Sequence, residues 1–76
     1  PFNPTTQILF HLPKASNVLL TVYNINGQRV GELVNGIQSA GIHRVQFDAS
    51  NLASGVYIYQ LVADGYTEVK RMLLIK

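Results

Sequence analysis

Acid–base chemistry in this 76-residue chain would have to start from four carboxylates, Glu32, Asp48, Asp64 and Glu68. Two carboxylates that face each other across a cleft can hydrolyse a glycosidic bond. Asp64 precedes a glycine in a predicted turn, and Asp48 ends a predicted strand, where its carboxylate can accept backbone hydrogen bonds. Glu32 and Glu68 fall at strand positions that suit an exposed face. The four acids therefore indicate structural roles and no hydrolase site.

The two histidines, His11 and His43, are the next candidates for catalysis or metal binding. Each alternates with apolar neighbours in its predicted strand. The serines all fall in predicted turns, and none lies in the strand–turn–helix motif that presents a catalytic serine. A zinc site needs three or four ligands, which two histidines and scattered carboxylates do not supply. We therefore expect no catalytic residue, no metal site and no cofactor, and a protein that is not an enzyme.

The six glycines form neither a dinucleotide-binding nor a phosphate-loop pattern. Gly27 follows an asparagine and is predicted to lie in a turn. Gly55 lies in the segment 52–57, where a leucine, a glycine and a tyrosine enter a strand together. This combination is typical of a tyrosine corner, in which the phenol closes a loop onto the backbone. We therefore predict structural roles for Gly27, Gly55 and Tyr57, with the Tyr57 hydroxyl donating to nearby backbone.

The composition excludes several classes of protein. Hydrophobic residues make up 47% of the chain and charged residues 13%, which is unlike a disordered linker. The longest apolar run has four residues, so no segment can be inserted in a membrane as a helix. The chain has no cysteine, and its net charge of +2 is the balance of six basic and four acidic residues. The basic residues are spread along the chain, except for the pair Lys70-Arg71 and the terminal Lys76. A nucleic-acid interface needs more basic residues, clustered on one face of the domain.

The elements that must position these residues are strands, because apolar and polar residues alternate with a period of two along most of the chain. The dipeptides Asn26-Gly27 and Asp64-Gly65 predict hairpins, with the type I′ turns in which both central residues have positive φ. We expect an all-β fold, an immunoglobulin-like antiparallel sandwich of six to seven strands over residues 6–76. Residues 1–5 are predicted to be a linker remnant, and one short extra strand is predicted near Ile37. The six main strands are predicted at Gln7–Leu12, Val18–Ile25, Gln28–Val34, Ile42–Asp48, Val56–Ala63 and Tyr66–Ile75.

The same alternation predicts which side chains form the core. If the phase of the tyrosine-containing strand were shifted by one residue, Val56 and Ile58 would be buried in place of the tyrosines. The predicted core residues are Phe10, Leu20, Val22, Val45, Phe47, Tyr57, Tyr59 and Leu61.

The last strand is unusual, because four consecutive apolar residues, Met72 to Ile75, lie between basic ends. Alternation sends two of the four away from the core. Such a strand is either covered on both faces at the centre of a sheet or is an exposed edge to which another chain can add.

The chain resembles the C-terminal sorting domains of the type IX secretion system of Bacteroidota and related bacteria. The resemblance covers nearly the whole sequence and depends on the order and spacing of several short elements. These elements are Asn3-Pro4, Val22-Tyr23-Asn24 before Asn26-Gly27, Gly41 ahead of a strand ending in Phe47-Asp48, Leu52 with Gly55 and Tyr57, and Lys70 to Lys76.

The resemblance implies a noncatalytic signal domain taken from a longer secreted enzyme or adhesin. Its implied partners are the outer-membrane translocon, a cell-surface sortase and the catalytic or adhesive domain of the parent protein. The implied route passes through the periplasm to the cell surface or the medium. The implied translocon-recognition residues are Lys70, Arg71, Met72, Leu73, Leu74, Ile75 and Lys76.

Two alternatives remain open at the level of the sequence. The domain could be an accessory sandwich that only packs beside, or spaces, a catalytic domain. It could also bind carbohydrate weakly, if some of its four tyrosines formed a flat exposed row. In either case no membrane insertion and no nucleic-acid partner are expected.

Overall fold

The computed structural model describes residues 5–75, and these form six β-strands. Within that range there is no helix of a length and hydropathy that could cross a membrane. Of the predicted linker remnant 1–5, residues 1–4 lie outside the described residues, as does Lys76, whereas Thr5 is the first residue of β1. The strands are β1 (Thr5–Leu12), β2 (Ser16–Asn24), β3 (Arg29–Gln38), β4 (Gly41–Asp48), β5 (Gly55–Ala63) and β6 (Tyr66–Leu74).

The strands are arranged in two antiparallel sheets, which agrees with the predicted all-β class and with a sandwich. One sheet has two strands in the order β1-β4, and the other has four in the order β3-β2-β5-β6. Ile37 lies within β3, so the prediction of a separate short strand there is wrong. The β2–β3 ladder continues past Val34 to Ser16 opposite Gln38, because backbone pairing there does not require a buried side chain.

The core lies on the facing sides of the two sheets. Seven of the eight predicted core residues are buried, and Val45 is half-buried against the core. The alternative phase of β5 is excluded, because Tyr57 and Tyr59 are buried whereas Val56 and Ile58 are only partly so. The buried apolar residues are Ile8, Phe10, Leu12, Val18, Leu20, Val22, Phe47, Ala49, Tyr57, Tyr59, Leu61, Ala63 and Leu74.

The turn between β2 and β3 forms the predicted hairpin but not the predicted turn type. Positive φ occurs at Gly27 (82°) and at no non-glycine residue between 5 and 75, so Asn26 does not adopt the type I′ conformation. The loop has three residues, 25–27, closed by Asn24 N–H donating to Gln28 O at 2.9 Å and Gly27 N–H donating to Asn24 O at 3.0 Å. This arrangement corresponds to a type I turn followed by a glycine bulge.

The side chain of Asn24, rather than that of Asn26, organises this turn. Asn24 Oδ1 accepts hydrogen bonds from the backbone N–H of Asn26 at 3.0 Å and of Gln28 at 2.9 Å. Asn24 Nδ2 also donates to Gln28 Oε1 at 2.9 Å. The motif is an Asx turn, which asparagine forms because its short amide reaches backbone two residues ahead.

We expect Asn24→Ala to lower the free energy of unfolding by about 1 kcal/mol, because several exposed hydrogen bonds are lost together. For a domain of this size that corresponds to a fall of roughly 4–8 °C in the melting temperature. Asn26→Ala is the matched control, since the hydrogen bond of Asn26 in this turn is made by its backbone. Equal thermal melts for the two variants would show that the Asn24 side chain does not stabilise the hairpin.

The second hairpin joins β5 to β6 through the two residues 64–65, with Ala63 opposite Tyr66. Gly65 has a φ of 68°, whereas Asp64 does not have a positive φ. The prediction of a type I′ turn is therefore wrong here as well. Only the glycine takes the left-handed conformation, because a side chain is strained there.

Candidate functional site

The C-terminal strand β6 is an edge strand of the four-stranded sheet. It pairs along its whole length with β5, from Tyr66 opposite Ala63 to Leu74 opposite Gly55. On its other side it pairs with no strand among residues 5–75. The tertiary structure therefore decides between the two possibilities left open by the sequence, in favour of an exposed edge.

The two basic residues at the start of the predicted recognition segment lie on opposite faces of β6. Lys70 lies opposite Tyr59, which is buried, so Lys70 is on the core-side face of β6, the face that is directed toward the small sheet. Its Nζ lies 3.7 Å from Oε2 of Glu68, two residues earlier on the same face. Arg71 is opposite Ile58 on the outer face. Lys70 and Arg71 therefore do not form one positive patch.

The apolar run is divided between the two faces in the same way. Leu74 is buried at 6% exposure and Met72 is partly buried against the core. Leu73 is 64% exposed and Ile75 is 54% exposed. Two of the four apolar residues therefore face solvent, as alternation predicts.

The outer face of the β5–β6 hairpin is mostly apolar. Val56 lies opposite Leu73, and Gln60 lies opposite Val69, which is 59% exposed. Arg71 is the only charged residue on this face of the two strands. It makes no ion pair with any of residues 5–75. The outer face therefore combines exposed aliphatic side chains with one unneutralised cation.

Tyr57 closes the loop before β5. Its hydroxyl donates a hydrogen bond to the carbonyl oxygen of Ala53 at 2.7 Å, which is the geometry of a tyrosine corner. Gly55 has a φ of 156°, a conformation that side chains rarely adopt, although the space around it is open. The backbone angle, rather than crowding, therefore favours glycine at this position.

We expect Tyr57→Phe to reduce the free energy of unfolding by about 0.5–1.5 kcal/mol, because the ring still fills the core while the hydrogen bond is lost. Tyr59→Phe is a suitable comparison, because Tyr59 is buried on the same face of the same strand. Chemical denaturation measures both losses. A Tyr57→Phe variant as stable as the parent would exclude an energetic role for the corner.

Local polar interactions hold Glu32, Asp48 and Glu68. Glu32 Oε1 lies 3.6 Å from Nη1 of Arg29, and Asp48 Oδ1 accepts from the Ser50 backbone N–H at 2.9 Å. Asp64 lies in the β5–β6 turn. No group of three histidines or carboxylates within residues 5–75 could hold a metal ion.

The histidines also have structural surroundings. The ring of His43 stacks on Phe10 with 5.1 Å between centroids. Its Nε2 lies 2.7 Å from Ser39 O. His11 is exposed on the other face of β1. The two histidines therefore lie on opposite faces of the small sheet.

The tyrosines do not form an exposed row that could stack on a sugar. Tyr57 and Tyr59 are buried, Tyr23 is partly buried, and only Tyr66 is exposed at 49%. Burial raises the pKa of the Tyr59 phenol above its ordinary value of 10.0, and the nearby Lys70 partly opposes that shift. Among the described residues, this distribution gives no flat aromatic surface.

Comparison with known proteins identifies one family. Curated proteins and solved structures gave no match to the chain. A family model described as "Secretion system C-terminal sorting domain" matches residues 1–76, the whole chain. The edge position of β6 and its exposed aliphatic residues are consistent with a domain that is bound by other proteins. The chain therefore belongs to the family of secretion system C-terminal sorting domains, the sorting signals of type IX secretion.

Proposed function

We propose that this domain is a noncatalytic signal that the type IX outer-membrane translocon recognises through β6 and the residues that follow it. The observation that carries the proposal is the unpaired edge of β6, together with the exposed side chains of Val69, Leu73 and Ile75. An edge strand offers unpaired backbone groups, and aliphatic side chains beside it add hydrophobic contact area. The family match supplies the identity of the partner system.

Within the segment 70–76, the outer-face residues are the better candidates for contact with the translocon. Arg71 is surrounded on its own face by Val69 and Leu73 and has no acidic neighbour across the strand pair. Lys70 already interacts with Glu68. An acidic group on the receptor would therefore gain more from Arg71 than from Lys70, because a charge without a partner is free to form a new pair.

We expect Arg71→Glu to lower export of a fused reporter about tenfold or more, which corresponds to ~1.4 kcal/mol of lost binding free energy. Lys70→Glu is the matched control, with the same charge change at the neighbouring residue on the opposite face. Both residues are exposed, so both variants should stay folded, with stability changes of about 0–1 kcal/mol. Secreted and retained reporter are measured together with the melting temperature of each variant.

Equal losses of export for the two folded variants would contradict recognition by the outer face. Full export of both would show that the basic residues only keep the strand end solvated. In that case the accessory-spacer alternative would account better for the domain. The carbohydrate-binding alternative has no support from the positions of the tyrosines.

The remaining parts of the proposal concern the route and the parent protein. The domain is expected to cross the periplasm attached to a catalytic or adhesive domain, which stays folded and active. After passage through the outer membrane, a cell-surface sortase is expected to remove the domain and to attach the cargo to the surface. The two-sheet arrangement and the Tyr57 corner support the immunoglobulin-like type of sandwich for this module.

A further inference from the structure

The free edge of β1 is the least protected sheet edge in the described part of the chain. β1 pairs with β4 through eight consecutive residue pairs without a register shift, and with no other strand among residues 5–75. Hydrogen-bonded and non-hydrogen-bonded pairs alternate along an antiparallel ladder. The backbone N–H and C=O groups of about half of the β1 residues therefore point away from β4.

Natural proteins block such edges with charges, prolines, bulges or short strands. β6 carries Glu68 and Lys70 on its core-side face, ahead of the apolar run that the proposed function uses, and β4 carries Arg44 and Asp48. The ladder between β3 and β2 has two register shifts. β1 has eight residues, TTQILFHL, with no glycine, proline, lysine, arginine or carboxylate. It also exposes Leu9 at 55%. None of the usual protective features is therefore found in β1.

The structure also leaves room beside this edge. A cleft of about 480 Å³ lies between the end of β1 and the Glu68–Lys70 part of β6. A second cleft of about 220 Å³ lies between Thr6 and the Met72–Leu74 part of β6. The two clefts follow the same side of the molecule, where the two-stranded sheet is narrower than the four-stranded sheet. One more strand beside β1 would cover the core-side face of β6.

We propose that β1 is an acceptor edge, to which an extended segment of a partner protein adds as the third strand of the small sheet. The lining of the clefts defines the chemistry of that segment. Near Thr6 its inward side chain meets Met72, Tyr57 and Ala49, so an apolar residue fits. Near Leu12 the walls carry Glu68 and Lys70, so a polar residue fits.

A single extended segment fits this place better than a second copy of the domain. Two copies related by a two-fold axis normal to the small sheet would bring their β1 strands together. Each copy would then have to place its larger sheet where β6 of the other copy already lies. The proposed acceptor edge is also distinct from the outer face of β6, so its failure would leave the proposed export function unaffected.

The test uses a synthetic octapeptide with the sequence of β4, GIHRVQFD, which already pairs with β1 on the other side. If the peptide pairs with β1 in the register of β4, its phenylalanine lies beside Thr6, at the apolar cleft. Its histidine then lies beside Phe10, near the cleft that contains Glu68 and Lys70. Amide hydrogen exchange of the 76-residue chain is measured by NMR with and without the peptide. At a peptide concentration ten times the dissociation constant, alternate amides of β1 should exchange about elevenfold more slowly.

The matched variants are Leu9→Lys on β1 and Ile42→Lys on β4, which place the same new charge on the same outer face of the small sheet. Leu9 and Ile42 are 55% and 65% exposed, so both variants should fold. A lost cross-strand contact weakens binding by up to about fivefold. Leu9→Lys should therefore reduce the protection to about threefold at the same peptide concentration, whereas Ile42→Lys should leave it unchanged.

Two results would overturn the proposal. One is that β1 amides are not protected at peptide concentrations of about 10 mM, or that protection falls on β4 or β6 instead. The other is that the chain alone forms dimers whose β1 amides are already protected, which would make a second copy the occupant. A control peptide with proline in place of valine should bind more weakly, because proline cannot donate to a ladder.

Discussion

Removing residues 70–76 from this domain, fused behind a reporter enzyme, is expected to abolish export while the reporter remains active within the cell envelope. The deletion removes the C-terminal half of the edge strand β6, together with the exposed residues Arg71 and Leu73. If the translocon binds this strand, the deletion removes most of the segment that it binds. Export is measured as secreted against retained reporter activity.

The deletion also removes packing, and this effect has to be separated from recognition. Leu74 is 6% exposed and lies opposite Gly55 at the start of β5. Loss of a buried leucine side chain costs about 2–5 kcal/mol, so the truncated domain could also unfold. Leu73→Asn provides the separation, because Leu73 is 64% exposed and its substitution should change stability by about 0.5 kcal/mol or less.

A folded Leu73→Asn variant with reduced export would support recognition of the outer face. Leu74→Ala is the comparison at the next residue, whose side chain is buried. This variant should have a much lower melting temperature, whatever its effect on export. If the deletion variant is secreted like the parent, the translocon does not recognise the domain through β6. The alternative of an accessory spacer then explains the domain better.

Phe47→Ala is expected to destabilise the domain strongly, because it truncates a buried aromatic side chain of the small sheet. Phe47 is 6% exposed, and its ring lies 3.8 Å from the position that a Cβ atom on Gly31 would occupy. It therefore connects β4 to the edge strand β3 of the other sheet. Truncation of a buried phenylalanine to alanine costs about 3–5 kcal/mol.

That cost is large for a domain of this size, whose total stability is about 4–11 kcal/mol at 0.05–0.15 kcal/mol per residue. A fall of roughly 12–40 °C in the melting temperature follows from 4–8 °C per kcal/mol. Val45→Ala is the control on the same strand and face, and it should cost less because Val45 is only half-buried. Thermal unfolding of Phe47→Ala at the temperature of the parent would exclude Phe47 from the core.

The fold class was accessible from the sequence because strand formation leaves a local pattern. Alternation with a period of two identified all six strands, and the same alternation selected the buried set that includes Phe47 and Leu61. The segment 52–57 likewise predicted the Tyr57 hydroxyl bond, because the loop that it closes is only a few residues long. The turn types were not accessible in this way. They depend on whether the Asn24 side chain or a type I′ backbone satisfies the N–H groups of the loop.

The position of each strand within the sheets was decided only by the tertiary structure. The sequence shows that Lys70 and Arg71 must lie on opposite faces of one strand, because successive side chains alternate. It does not show which face is covered, since that depends on pairing between β5 and β6 and on the width of the small sheet above them. The open edge of β1 has the same origin. Strand order is set by contacts between residues far apart in the chain. The sequence alone therefore determined the strands and the buried faces of β1, β2 and β4. The packing of two unequal sheets determined the covered face of β6 and which edges remain available.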